Sequence, residues 1–224
     1  MKTMIKLKAV ALVSIGTLLT QYCQAALVTS SPGGTVIDFS QFGVFSFTPG
    51  PVQVGGLVGA DVKWSSTYAL SVIGNGGYGL SSNGFWDSGR NGYVGLNSPS
   101  GSMSFTFANP VSFVGAFMNY APGNGTPIIS IYDSANNLIE TANLSILAPI
   151  STLGAQNAGA FRGFTIGSAS IARFELSGGF DVADDLTFSF SAVPEPSTCV
   201  AGALLLLPFG AQAIRRSRAS RQVS

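Results

Sequence analysis

The sequence predicts an all-β fold, an antiparallel β-sandwich of jelly-roll type, and three observations predict it. Apolar residues recur with period two over many short stretches. Glycine fills 28 of 224 positions, while only 9% of side chains are charged. Turn signals punctuate the chain at short intervals with no long helical pattern between them. Roughly nine or ten short strands of this kind bury their apolar faces best as two packed sheets.

Thr35–Phe39 and Gly43–Thr48 read as the first strands, the second stopped by Pro49-Gly50-Pro51. A further strand, Gln53–Trp64, is broken at Gly55 and Gly56. Residues 74–95 are dominated by glycine and asparagine, with Asn75-Gly76, Asn83-Gly84 and Asn91-Gly92 each a hairpin-turn signal. Ser102–Ala108 alternates, Met103, Phe105 and Phe107 on one side and Ser102, Ser104 and Thr106 on the other. Val111–Tyr120 is apolar throughout and suits a central strand. Ile128–Tyr132 and Leu138–Leu144 flank the polar turn 133–137 as a hairpin. Phe161–Ile166, Ile171–Leu176 and Leu186–Phe190 complete the set, and no fixed-period repeat is present.

Both ends of the chain carry export features. Lys2, Lys6 and Lys8 precede an apolar stretch, Ala9–Thr20, and Cys23-Gln24-Ala25 offers small residues to signal peptidase, so residues 1–25 read as a signal peptide cut between Ala25 and Ala26. Tyr22 is too bulky for a lipobox, which argues against lipidation at Cys23. At the other end stands Val193-Pro194-Glu195-Pro196-Ser197-Thr198, held extended because each proline fixes its own φ and restricts the residue before it. An apolar run, 199–214, follows. As a helix its 16 residues reach about 24 Å against a hydrocarbon core of about 30 Å, a marginal transmembrane span that Pro208 weakens further. Arg215, Arg216, Arg218 and Arg221 then keep the final segment, 215–224, cytoplasmic.

Proline motif, short span and basic end, in that order, resemble the PEP-CTERM sorting signal of exported proteins from Gram-negative bacteria. The resemblance covers 193–224. It implies recognition by an exosortase, a membrane-embedded thiol transpeptidase that cuts near the motif and delivers the protein to the envelope or beyond. The plainer alternative is a C-terminal anchor on a proline-containing stalk. The intervening domain, 26–192, also resembles the β-sandwich of many PEP-CTERM proteins, through Val36-Ile37-Asp38-Phe39, Ile129-Ser130-Ile131-Tyr132-Asp133 and Asp184-Asp185-Leu186-Thr187-Phe188. A sandwich hosts many functions, so this speaks to fold more than to activity.

Removing both signals leaves four basic against nine acidic residues, a net charge of −5, which argues against a nucleic-acid partner. Neither cysteine, Cys23 or Cys199, falls in the domain, so no disulfide framework is expected. With no histidine and no domain thiol, serine-triad, cysteine and zinc chemistry lack their usual groups. Asp87, Glu140 and Glu175 remain as carboxylates for glycoside hydrolysis, without the spacing of a known signature. Gly74-Asn75-Gly76-Gly77-Tyr78-Gly79 matches G-x-G-x-x-G, but a turn follows where a nucleotide-binding helix would be required.

Two constellations are candidate binding sites. Pairing of the terminal strands would bring Asp38 to Asp181, Asp184 and Asp185, an oxygen-rich set suited to calcium, the one cofactor considered. The preferred reading makes Asp181 and Asp184 turn residues and Asp38 an exposed strand acid. Tyr78, Phe85, Trp86 and Tyr93, with Asp87, Arg90 and Asn91 nearby, form a candidate sugar platform of flat rings and polar groups. The preferred reading there is core packing. The function expected is a non-enzymatic, exported cell-surface or matrix protein, structural or associated with exopolysaccharide. Its expected partners are signal peptidase, exosortase and, before processing, the inner membrane. The alternatives are a carbohydrate-binding module and, behind it, a glycosidase.

Overall fold

A computed structural model describes residues 25–86, 92–154 and 159–191. The expected signal peptide up to residue 24, the sorting motif, the apolar run and the arginine tail lie outside the described residues, as do Asp87, Arg90 and Asn91. Within them the chain is all-β. The strands are β1 (Ala26–Val28), β2 (Thr35–Ile37), β3 (Ser46–Phe47), β4 (Val52–Gln53), β5 (Val62–Ser66), β6 (Val72–Gly74), β7 (Tyr78–Gly79) and β8 (Phe85–Trp86). Then come β9 (Tyr93–Gly95), β10 (Ser102–Val111), β11 (Phe113–Asn119), β12 (Ile128–Tyr132), β13 (Leu138–Asn143), β14 (Ala160–Thr165), β15 (Ile171–Ser177) and β16 (Val182–Ser189). The helical turns among the described residues are two 3-10 segments, Gly56–Val58 and Ser81–Asn83. No helix among them is long and apolar enough to cross a membrane.

The strands form two main antiparallel sheets. One runs β1-β14-β11-β16-β9-β6-β3, with β2 also paired to β16; the other runs β13-β12-β15-β10-β5-β4. Alternating residues of both point into one shared core, Val94, Ala183, Leu186 and Phe188 from the larger sheet and Trp64, Met103, Phe105, Ile131 and Phe174 from the smaller. Aromatic contacts tie the layers together. Phe105 and Phe174 are cross-strand partners with ring centroids 6.4 Å apart, and Phe107 meets Phe188 of the opposite sheet at 5.3 Å. Each such ring contributes about 1.5–3 kcal/mol by leaving water.

The long strands fall close to where the alternation puts them, and the irregular ones do not. The expected strand over 35–39 ends at Ile37, because Phe39 turns into the left-handed region at φ +54 while staying buried. Gly43–Thr48 shortens to β3, with Val44 making an isolated parallel bridge to Asn75. The turn Gly56–Val58 splits Gln53–Trp64 into β4 and β5. Five short strands, β1, β6, β7, β8 and β9, lie where no strand is expected from the pattern, and β16 begins at Val182, four residues before Leu186. Asn75-Gly76 does not close a hairpin; β6 pairs with β3 and β9 instead. Asn83-Gly84 does, as part of the turn joining β7 to β8.

A second apolar cluster lies on the outer face of the larger sheet. In β6, β9 and β16 neighbouring residues divide between the two: Ile73, Val94 and Ala183 enter the main core, whereas Val72, Tyr93 and Val182 join Tyr78, Leu80 and Trp86. The β7–β8 hairpin therefore lies over this outer face. Its turn is fastened by Asn83, whose Nδ2 donates to Asn119 Oδ1 and to the Tyr120 carbonyl, both at 2.9 Å, while the Thr152 N–H donates to Asn83 Oδ1 at 3.3 Å.

Candidate functional site

The outer-face cluster holds the cleft of greatest chemical interest. Phe45, Phe47, Val72, Gly77, Tyr78, Gly79, Tyr93, Asn97 and Phe180 line a cavity of about 220 Å³. Tyr78 and Tyr93 meet edge to face, ring centroids 5.7 Å apart, and Phe45 and Phe47 do the same at 5.6 Å. The tyrosines are nearly buried, whereas Phe47 is 57% exposed. The Tyr78 hydroxyl accepts the Asn97 backbone N–H at 2.7 Å. Burial, aided by the Asp181 carboxyl, keeps the Tyr78 phenol well above its usual range, and burial alone pushes Tyr93 up to about 12. Both stay neutral across physiological pH.

Tyr78, Trp86 and Tyr93 pack into the buried outer-face cluster, as the preferred reading has it, and the candidate aromatic platform is only partly assembled. Tyr78 and Tyr93 come together at the cleft floor, but Trp86 is buried in the cluster and does not line the cleft, and Phe85 projects to solvent at 62% exposure. Phe45, Phe47, Asn97 and Phe180 line it instead. Sequence reasoning missed them because they come from β3, from the segment after β9 and from the turn before β16, and no local spacing links these.

The acidic constellation is arranged differently from either reading of it. Asp184 and Asp185 lie inside β16, not in a turn before it. Between the partners Gly115↔Thr187 and Phe117↔Asp184, β16 holds one residue more than β11, a β-bulge in which Asp185 adopts φ +50. Asp184 Oδ1 accepts the Asp185 N–H at 2.6 Å. The β2–β16 register ends at Leu186↔Ile37, so Asp38 and Asp185 each lie one residue beyond the last paired positions. Asp38 Oδ1 accepts the Ser40 N–H at 3.1 Å. Asp181 is fully buried, and neither carboxyl oxygen has a hydrogen-bond partner among the described residues. Burial holds its pKa well above the usual carboxylate range. Among the described residues no group of three or more acids, histidines or cysteines is placed to hold a metal ion.

The other carboxylates are also separated. Glu175 pairs across β12 with Ser130, and Glu140 with the core-facing Ile131, so register puts them on opposite faces of the smaller sheet. Glu175 accepts from Arg173 and from the Tyr132 hydroxyl, and the Arg173 guanidinium lies 3.8 Å above the Tyr132 ring. The G-x-G-x-x-G match runs from the end of β6 through β7 into the 3-10 turn Ser81–Asn83, without the helix a pyrophosphate needs.

No family model matches the chain, and no curated protein does. Among solved structures it is similar to CsCBM6-3 from Clostridium stercorarium in complex with cellobiose, at 17% identity and a TM-score of 0.32, over 53% of this chain and 88% of that one. It is also similar to the catalytic domain of a GH87 alpha-1,3-glucanase variant in complex with nigerose, at 14% identity and a TM-score of 0.33, over 60% of this chain and 29% of that one. At this level of similarity neither says anything about what this chain does.

Proposed function

We propose that this chain is an exported cell-surface or extracellular-matrix protein, sorted by an exosortase through its Pro194-Glu195-Pro196 motif, with a non-enzymatic role, structural or associated with exopolysaccharide. The observation that carries the reading is the position of the folded domain between the two processing points. Ala26, the residue after the expected signal cleavage, opens β1, and β16 closes at Ser189, four residues before Val193. A processing enzyme cutting near the motif thus acts a few residues beyond the last strand and need not unfold the domain. The strand order supports a jelly roll. β9-β16-β11-β14 in one sheet and β10-β15-β12-β13 in the other reproduce the two interleaved Greek keys of that fold. The absence of histidine from the chain and the separation of Glu140 from Glu175 favour a non-catalytic role.

Intact mass spectrometry of surface-extracted protein tests this. Processed material should end near the proline motif, and Glu195→Ala should retain the full chain in the membrane without lowering the domain's melting temperature. Wild-type protein extending to Ser224 in cells with an active exosortase would reduce the tail to an anchor and end the sorting reading.

A further inference from the structure

We infer that the cleft between β3 and the β7–β8 hairpin binds a neutral hexopyranose unit of an extracellular polysaccharide, on the rings of Phe45 and Phe47 above the buried floor of Tyr78 and Tyr93, with Asn97 as the polar contact. The inference deepens the exopolysaccharide-associated reading above and rests on it only for where such a glycan is met.

The chemistry of the lining selects the ligand. None of the nine lining residues is charged, so nothing there favours an ion. Aromatic faces take up the apolar C–H face of a pyranose, and a few fixed polar groups orient its hydroxyls. Asn97 is fixed in this way: its Nδ2 donates to the Leu70 carbonyl at 2.8 Å, which leaves Oδ1 as an acceptor without a partner among the described residues. At about 220 Å³ the cavity is below the roughly 300–1,000 Å³ typical of sites for drug-sized ligands, so it takes one ring of a longer chain.

Two independent features mark the cleft as built. First, its lining includes two residues in the left-handed region, Asn97 at φ +55 and Phe180 at φ +54, and Phe180 ends a turn of three consecutive positive φ angles after Gly178 and Gly179. A bulky aromatic residue in the left-handed region is a backbone outlier, and such outliers gather at functional sites. Second, two of its glycines are not required by the fold. A Cβ at Gly74 would stand 2.6 Å from Phe45 Cα, so that position needs glycine. Gly77 and Gly79 lack a positive φ; a Cβ at Gly77 would meet nothing within 4 Å, and one at Gly79 only Phe85 Cε1 at 3.9 Å. A side chain at Gly77 would stand in open space, and one at Gly79 beside the exposed Phe85 ring.

The test is calorimetric titration of the full chain with neutral oligosaccharides (β-1,3-, β-1,4- and α-1,4-linked glucose, β-1,4-linked mannose), with an oligogalacturonate as acidic control. At least one neutral oligosaccharide should bind. Phe47→Ala, which removes an exposed ring, and Gly77→Leu, which adds bulk at the cleft lining, should each weaken binding by about tenfold or more at an unchanged melting temperature. Absence of neutral binding, binding of the acidic oligomer alone, or full affinity in both variants would overturn the proposal. Intact mass of the same preparation keeps the two readings apart. A trimmed tail with no glycan binding removes the cleft assignment alone, and glycan binding by an untrimmed chain removes the sorting assignment alone.

Discussion

The two apolar clusters are built from the same strands yet differ in kind. The main core is closed by both sheets and filled largely with phenylalanine, isoleucine, leucine and valine, Trp64 and Tyr120 being its members with a polar side-chain atom. The outer-face cluster has a sheet on one side and a two-stranded hairpin on the other, and its large members are Tyr78, Trp86 and Tyr93. One extra layer of backbone thus separates a dry core from a half-open one. The first supplies stability, whereas the second leaves a concavity at its edge and puts a carboxyl group, Asp181, beside its tyrosines.

The sharpest way to separate the two is to empty one of them. Phe105→Ala, inside the main core between Phe39 and Phe174, should cost about 3–5 kcal/mol in urea unfolding. A loss under about 1 kcal/mol would mean the two sheets are not jointly packed there.

Asp181 gives the outer cluster a pH signature. The folded state holds its proton above the range in which the unfolded chain releases it, so the folded form binds more protons as pH climbs past about 4. The stability it permits is complete below that pH and is lost toward the raised folded value, by up to about 1.4 kcal/mol per pH unit. Asp181→Asn should flatten that slope and stabilise the protein at neutral pH, as followed by thermal melting from about pH 4 to about pH 8. An identical slope in the variant would place the titration elsewhere.

Asn83→Ala should cost about 1–3 kcal/mol, because it strips Asn119 Oδ1 and the Tyr120 carbonyl of a buried donor. Hydrogen exchange should show the β7–β8 amides opening before those of β11. The smallest effect belongs to the outer face of the smaller sheet. Arg173→Ala, which loses the Glu175 pair and the Tyr132 ring contact, should cost about 1 kcal/mol or less, and less still in high salt.

These expectations follow the line between what the sequence made legible and what it did not. Ser102–Val111 and Ile128–Tyr132 are readable because period-two alternation is local and one face of each is buried in the main core. Tyr93–Gly95 is not, because Tyr93 and Val94 are both apolar and both buried, in different clusters, and alternation vanishes when each face of a sheet is covered. The cleft failed to show for a related reason. Tyr78 and Tyr93 stand among glycines that advertise a loop, while their partners Phe47 and Phe180 lie more than a hundred residues from each other. The bulge at Asp185 leaves no mark in composition either, since an aspartate there reads equally well as a turn.

The position of β16 has a mechanical consequence. This last strand lies in the interior of the larger sheet, hydrogen-bonded to β11 along one edge and to β2 and β9 along the other. Whatever grips the chain beyond Ser191 pulls on that strand directly. A marginal strand could be peeled away one bond at a time, but β16 has neighbours on both sides and must slide against both ladders together. Traction on that end is therefore spread across the sheet, and the domain resists being drawn open by a pull there.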